Sequence, residues 1–163
     1  MIVVADTGSL ISLAIIDKLS LLECIYGEVY IPEAVWDELM KCADEFNIPK
    51  IMSYREKTKK ITIKNKHQQV IDKGESEAIT LYQEINADYL LIDDKIARKI
   101  AELDSVVCIG TLGVLTKAKE NKLIDILRSY FLILLEKNRY YSKPLLNRIL
   151  KANGEEEIGD SNV

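Results

Sequence analysis

The chain has 163 residues, 48% of them apolar and 29% charged, with a formal net charge of −4. That length fits one domain with a real core, and the composition excludes a globally disordered chain. The acidic balance excludes a protein that holds nucleic acid by bulk positive charge, and no apolar run reaches the roughly 20 residues a membrane span needs.

Along the chain, short apolar runs alternate with amphipathic stretches. Ile2-Val3-Val4-Ala5 reads as a strand buried on both faces, and the charge of Asp6 comes too early for a secretory leader. Asp6-Thr7-Gly8-Ser9 reads as a turn, with Ser9 predicted as the N-cap of a helix running through Leu22. Val29-Tyr30-Ile31 is the predicted second strand. Pro32 then opens a helix to about Phe46, since proline suits a first turn. A helix over Ile51 to Thr58 and a third strand at Ile61-Thr62-Ile63 are predicted next. Gly74 precedes a predicted helix from Glu75 to Ile85. Tyr89 to Ile92 reads as the fourth strand, closed by Asp93-Asp94, and a helix follows from Lys95 to about Leu103. Val106 to Ile109 is the predicted fifth strand, and Gly110-Thr111-Leu112-Gly113 leads into another helix. Beyond Leu123 the pattern is helical only, with a last helix from Ser142-Lys143-Pro144 to about Ala152.

Strand–helix alternation with continuously apolar strands predicts a parallel sheet covered on both faces. Residues 1–153 read as one domain, and the polar, acidic stretch 154–163 as a frayed or disordered tail. Cys24, Cys42 and Cys108 are widely spaced and form no CxxC pair, and His67 is the only histidine. A Cys/His zinc site is therefore excluded, and the thiols read as half-buried in a reducing cytoplasm. A Ser-His-Asp triad would depend on His67, which stands in a polar run and reads as solvated.

Basic residues gather between Arg55 and Lys73. Lys57, Lys59, Lys60, Lys64 and Lys66 read either as a solvated sheet edge or as a basic lip for a phosphate backbone. The stretch Tyr130-Phe131-Leu132-Ile133-Leu134-Leu135, with Tyr140-Tyr141 close behind, is more apolar than one buried helix face needs. It predicts either a homodimer surface or a helix deep in the monomer core.

The informative residues are acids at strand ends. Asp6 follows strand one, and Asp93 and Asp94 follow strand four, at the edge where parallel sheets collect ligands. Helical phase adds two more. Val35, Leu39 and Cys42 mark the buried stripe of their helix; Glu38 borders that stripe and Asp37 points away from it. Ala78, Tyr82 and Ile85 mark the stripe of the helix after Gly74. Glu75 falls within that stripe, Glu77 beside it and Ser76 outside. A glutamate so placed either faces a ligand or interacts with the helix N-terminus. Four acids from four segments on one edge would repel without a cation; with Mg²⁺ or Mn²⁺ they form an oxygen-rich site that needs no His or Cys.

These segments, in order, carry a resemblance. Ile2-Val3-Val4-Ala5-Asp6-Thr7-Gly8-Ser9, Val29-Tyr30-Ile31-Pro32 with Val35-Trp36-Asp37-Glu38-Leu39, Gly74-Glu75-Ser76-Glu77-Ala78, Leu90-Leu91-Ile92-Asp93-Asp94 with Arg98, and Gly110-Thr111-Leu112-Gly113 together resemble the PIN-domain family, in its prokaryotic branch of VapC-like toxin ribonucleases. The resemblance covers roughly residues 1 to 130. It implies a five-stranded parallel sheet in a three-layer α/β/α sandwich, here with extra C-terminal helices. It implies a metal-dependent endoribonuclease leaving 5′-phosphate and 3′-hydroxyl ends, in many members a toxin that dimerises and is silenced by a cognate antitoxin.

Carried over by residue, Asp6 matches the family's first aspartate, Glu38 the glutamate of the second helix, and Glu75, with Glu77 as competitor, the acid opening the central helix. Asp93 and Asp94 share the last acidic position, and Thr7 and Ser9 match hydroxyls that orient the first aspartate or a metal-bound water. Arg98 and Thr111 fall within the matching segments as supporting residues. The resulting expectation is a cytoplasmic, Mg²⁺- or Mn²⁺-dependent ribonuclease in which Asp6, Glu75 and Asp93 or Asp94 hold the ion and Glu38 sits nearby. Aspartyl-phosphate phosphatases are excluded, because they need an acid two residues after the first aspartate and this chain has Gly8. A catalytically silent PIN-like protein that only binds a partner is the competing expectation.

Overall fold

The computed structural model of the chain describes residues 1–46, 49–62 and 66–159. Five strands, β1 (Ile2–Ala5), β2 (Glu28–Pro32), β3 (Thr58–Lys59), β4 (Tyr89–Leu91) and β5 (Cys108–Ile109), form one sheet in the order β3-β2-β1-β4-β5. Every neighbouring pair is parallel. Parallel neighbours need crossover connections, and the helices supply them.

Side-chain alternation along the strands assigns the two faces. Val3, Ala5, Val29, Ile31 and Leu91 enter one core. That core is shared by α1 (Thr7–Ile15), α2 (Ser20–Tyr26), α3 (Glu33–Phe46), α6 (Thr111–Glu120), α7 (Arg128–Glu136) and α8 (Lys143–Ala152). Val4, Leu90 and Ile92 enter a second core with α4 (Lys73–Glu84) and α5 (Lys95–Leu103). Both faces of the sheet are thus covered, as the continuously apolar strands predict, and the five-stranded, three-layer α/β/α architecture that the resemblance implies is the one observed. Among the described residues, no helix is long and apolar enough to cross a membrane.

Several local predictions are corrected. The first predicted helix is two helices, because the chain turns through Asp17, whose φ of 54° is a left-handed conformation that aspartate tolerates. The predicted α-helix after Pro49 is a 3-10 helix over Pro49–Lys57. The third strand lies at Thr58–Lys59, where it pairs with Ile31 and Pro32, and not at Ile61-Thr62; Ile63 lies outside the described residues. A two-residue edge strand leaves almost no alternation to read.

The apolar run in α7 is accounted for within the monomer. Phe131 and Leu134 are fully buried, and Tyr130, Leu132, Ile133 and Leu135 pack against the same core. The tail makes defined contacts as far as Ile158. Leu127 N–H and Arg128 N–H, at the start of α7, each donate to the Glu155 carboxylate at 2.8 Å. Ile158 is buried, and its N–H donates to Asn147 Oδ1 at 2.7 Å.

Candidate functional site

β1 and β4 lie side by side at the centre of the sheet, and their carboxyl ends point the same way. The chain leaves β1 toward β2 on one side, whereas β4 leads to β5 on the other. A crevice opens outside such strand ends where the order reverses. Asp6 stands there, its N–H donating to Leu91 O at 3.0 Å, and Asp93 lies two residues beyond the end of β4.

Asp6 is the N-cap of α1, with extended backbone and Oδ1 accepting from Ser9 N–H at 2.9 Å. The predicted cap at Ser9 is corrected accordingly: Ser9 supplies the donor, and its side chain is buried beside the carboxylate. Only 4% of Asp6 is exposed. Burial, followed by the charge of Asp93, pushes its pKa up to about 7; Glu75 adds to the rise, and the Ser9 hydrogen bonding opposes it.

Asp93 and Asp94 are separated by what they touch. Asp93 Oδ1 accepts Thr111 N–H at 2.8 Å, and its Oδ2 accepts the hydroxyls of Thr111 at 2.7 Å and Tyr141 at 2.6 Å. Asp94 is the N-cap of α5, with Oδ1 accepting Ile96 N–H and Ala97 N–H at 2.8 Å each. Both carboxylates line the same cavity, Asp93 acting on Asp6 and Asp94 on Glu75.

Glu38 comes from α3. Its Oε1 accepts Gly74 N–H at 3.2 Å, at the start of α4, and its Oε2 accepts the Thr7 hydroxyl. A Cβ at position 74 would lie 2.7 Å from both carboxylate oxygens, so the Glu38 carboxylate can hold this position only against glycine. Asp37 is exposed, as the helical phase predicts.

Glu75 and Glu77 part company. Glu75 lines the cavity, and burial, then Asp94, Asp72 and Glu38, push its pKa up to about 7 despite a backbone hydrogen bond at Asp72. Glu77 is buried in the other direction: its Oε2 accepts Ala34 N–H at 3.2 Å in the first turn of α3, and Lys73 lies 3.7 Å from its Oε1. The phase prediction for Ser76 is corrected, since Ser76 is also fully buried. Helix α4 packs on the sheet and on α3 together, so its buried arc is wider than one stripe.

The cavity measures about 650 Å³ and is lined by Asp6, Glu38, Asp72, Glu75, Asp93 and Asp94, with Thr7 and Gly8 beside them. Lys95, Ile96, Arg139, Tyr140 and Tyr141 complete the wall. Arg139 donates from Nε to Ser12 Oγ at 2.9 Å and from Nη2 to Gly8 O at 2.8 Å. Sequence reasoning misses Asp72, Lys95, Arg139 and Tyr141. Asp72 sits one helical turn before Ser76 and was legible as the first acid ahead of α4; Arg139 and Tyr141 arrive only by packing of the α7–α8 connection.

Other predicted residues lie elsewhere. Arg98 donates to Cys108 O at 2.8 Å and to Glu102 at 3.1 Å, outside the acidic cavity. Lys57 pairs with Glu23 and lies 4.7 Å from the Tyr54 ring centroid. Lys59 lies 4.7 Å from that of Tyr30. Lys60 and Lys66 are exposed, and Lys64 lies outside the described residues. None of the described lysines of this run lines the cavity. His67 pairs with Asp104 at 2.8 Å, away from the acids.

The donor set fits a hard divalent cation by its chemistry. The cavity lining is rich in carboxylates with hydroxyls beside them; burial first, and then the neighbouring acids, raise Asp6 and Glu75, and a cation offsets both costs. Among the described residues, no three His, Cys, Asp or Glu side chains are drawn together tightly enough to hold an ion outright. A ring of acids around an open cavity suits an ion that keeps several waters and takes one or two carboxylates directly, as Mg²⁺ does.

A family model described as DUF3368, PIN domain, matches residues 2–155. That span contains β1–β5, α1–α8 and every acid lining the cavity. No curated protein and no solved structure gives a match.

Proposed function

This chain belongs to the PIN-domain family, nucleases that in general use divalent metal ions, and on that premise we propose that it is a Mg²⁺- or Mn²⁺-dependent endoribonuclease working at the acidic cavity. One observation carries the reading: four separate segments deliver Asp6, Glu38, Glu75 and Asp93 with Asp94 to one crevice at the strand ends. A monomer core gains nothing from burying acids side by side, and burial together with the neighbouring charges keeps two of them near pKa 7.

A divalent ion bound there would activate water and stabilise charge on the phosphate. The chain's own residues fix the geometry around it. Asp6 and Asp94 are immobilised as helix caps, Asp93 by Thr111 and Tyr141, and Glu38 by Thr7 and Gly74. Asp6, Glu75 and Asp93 or Asp94 would hold the ion, with Glu38 at its border. Lys95 and Arg139 add positive charge to the same wall and would draw the substrate phosphate in.

The test is cleavage of a labelled RNA by purified protein with Mn²⁺ or Mg²⁺ and with EDTA. Cleavage that requires the ion, leaves 5′-phosphate ends and disappears in Asp6→Asn supports the reading. Intact RNA under all metal conditions would overturn it in favour of a partner-binding module. The toxin role rests on the family resemblance. Co-purification of a small protein encoded beside this gene, with loss of cleavage in the complex, tests it. A homodimer has one supporting feature, the apolar stripe of Ile96, Ile100 and Leu103 on α5 beside Val107, of which all but Ile100 are exposed. A monomeric mass by light scattering at micromolar concentration would remove it.

A further inference from the structure

Helix α7 starts without a local cap. Leu127 stands at its N-cap with helical backbone and supplies no side-chain hydrogen bond. The first N–H groups of a helix need partners from outside it. Here the partner is Glu155, far along the chain in the tail. Both of its carboxylate oxygens are used, Oε1 by Leu127 N–H and Oε2 by Arg128 N–H, at 2.8 Å each. Lys119 of α6 pairs with the same carboxylate and also donates to Asn153 O at 3.2 Å. The rest of the tail is bound to α8. Glu155 N–H donates to Leu150 O at 2.9 Å. Asn147 brackets Ile158, accepting its N–H at 2.7 Å and donating to its carbonyl at 3.2 Å. Ile158 enters the core that holds Phe131 of α7 and Leu146 of α8.

The far end of α7 leads into the acidic site. Asn138 takes a φ of 56°; its N–H donates to Leu135 O at 3.0 Å, and Arg139 N–H donates to Leu134 O at 2.9 Å. In this closure the two residues beyond the helix are bonded back onto its last turn, so the backbone of Arg139 moves with the α7 axis. From there the Arg139 side chain reaches Ser12 Oγ and Gly8 O, next to Asp6. Tyr141, whose N–H donates to Arg139 O at 3.0 Å, reaches Asp93. Between the two ends lie nine residues of continuous helix, about 13 Å. We propose that Glu155 is a positioning residue: by capping α7 it clasps the tail to the helix whose other end sets Arg139 and Tyr141 against the acids of the cavity. Its effect on turnover rests on the nuclease reading; the clasp does not.

The experiment is amide hydrogen exchange in EDTA on wild type, Glu155→Ala and Glu157→Gln, read by mass spectrometry of peptides. Alanine removes both acceptors and the charge that favours a helix N-terminus. In Glu155→Ala, exchange should quicken at least about tenfold in residues 127–131 and also, at the other end of α7, in 137–141, while β1 and α4 keep wild-type rates. Glu157 is exposed, and Glu157→Gln, which removes the same charge from the tail, should match wild type throughout. Faster exchange confined to 127–131 would reduce Glu155 to a local cap and overturn the proposal. A uniform rise over the whole chain would overturn it as well. Where Glu155→Ala does not fold, Glu155→Gln, which keeps one acceptor, takes its place with the same outcomes.

Cleavage kinetics with Mn²⁺ keep the two readings apart. In Glu155→Ala, kcat should fall about tenfold while KM stays within about threefold, because a small displacement of positioned groups costs turnover and the charge of Arg139 remains on the cavity wall. Wild-type kcat in this variant removes the positioning role and leaves the nuclease. Absence of cleavage by the wild type removes the nuclease, and the exchange pattern then decides the clasp alone: loosening that reaches 137–141 keeps it, and loosening confined to 127–131 removes it.

Discussion

The hydroxyl of Tyr141 donates to Asp93 Oδ2 at 2.6 Å across 48 residues of sequence. Burial and the Asp93 charge hold that hydroxyl well above the ordinary phenol range, so it stays a donor at any working pH. A tyrosine from the α7–α8 connection therefore fixes the carboxylate at the end of β4, and the C-terminal helices belong to the site. Tyr141→Phe keeps the ring and deletes the donor. A hydrogen bond to a charged group contributes about 1.5–3 kcal/mol. Metal-dependent turnover should fall about tenfold or more, with the fold retained; wild-type kcat in this variant would show that Asp93 needs no such support.

Glu75 and Glu77 should separate activity from stability. Glu75 faces the cavity, whereas Glu77 accepts Ala34 N–H at the start of α3 and is 9% exposed. Glu75→Gln should cost more than about 100-fold in cleavage and leave the fold at least as stable. Glu77→Gln should keep most of the turnover of folded protein while losing about 1 kcal/mol of stability, or roughly 2–4 °C. Kinetics and melting on both variants check this, and the reverse order would mean that α4 is rotated from its described position.

Gly74→Ala tests the contact between α3 and α4. An added methyl meets both Glu38 carboxylate oxygens at 2.7 Å, and these are the tip of a flexible side chain. The carboxylate should swing away at little cost. Alanine also favours the helix by about 1 kcal/mol over glycine. The outcome expected is a melting temperature unchanged or raised, with cleavage reduced about tenfold. Lost stability together with unchanged cleavage would remove Glu38 from the site.

The site divides along a physical line into what the sequence reveals and what it hides. Asp6, Asp93 and Asp94 were legible because a strand end fixes a residue's position locally. Glu38 was legible because Val35 and Leu39 set the rotation of α3. Ser76 was misplaced because α4 is covered by two neighbours at once, so its phase has no single outward direction. Arg139 and Tyr141 leave no trace in local pattern. Their roles come from long-range hydrogen bonds to Gly8, Ser12 and Asp93. The basic run shows what charge counting leaves out: Lys57 is paired to Glu23 and Lys59 is set over Tyr30, so two of its charges are engaged by neighbours that the run itself does not reveal.

Asp6→Asn should raise the stability of the metal-free protein and abolish cleavage, and the gain should depend on pH. The Asp6 pKa is raised to about 7 in the folded state, mainly by burial and then by Asp93. Its unfolded value is about 3.9. The native state therefore binds more protons between those values, and stability falls as pH rises from about 4 through 7. Above pH 7 the cost of the buried charge is fully present, at most about 4 kcal/mol for this residue. Asparagine removes that cost and keeps the N-cap, since its side-chain oxygen can still accept Ser9 N–H. Metal-free wild type and variant should melt together near pH 4. At pH 8 the variant should melt about 4 °C or more above wild type. Mn²⁺ should stabilise the wild type at pH 8 and narrow that gap, because the ion neutralises the same charge. Melting curves with EDTA and with Mn²⁺ at both pH values, beside the cleavage assay, provide the check. An Asp6→Asn protein that is less stable than wild type at pH 8, or that still cuts RNA, would displace Asp6 from the centre of the site.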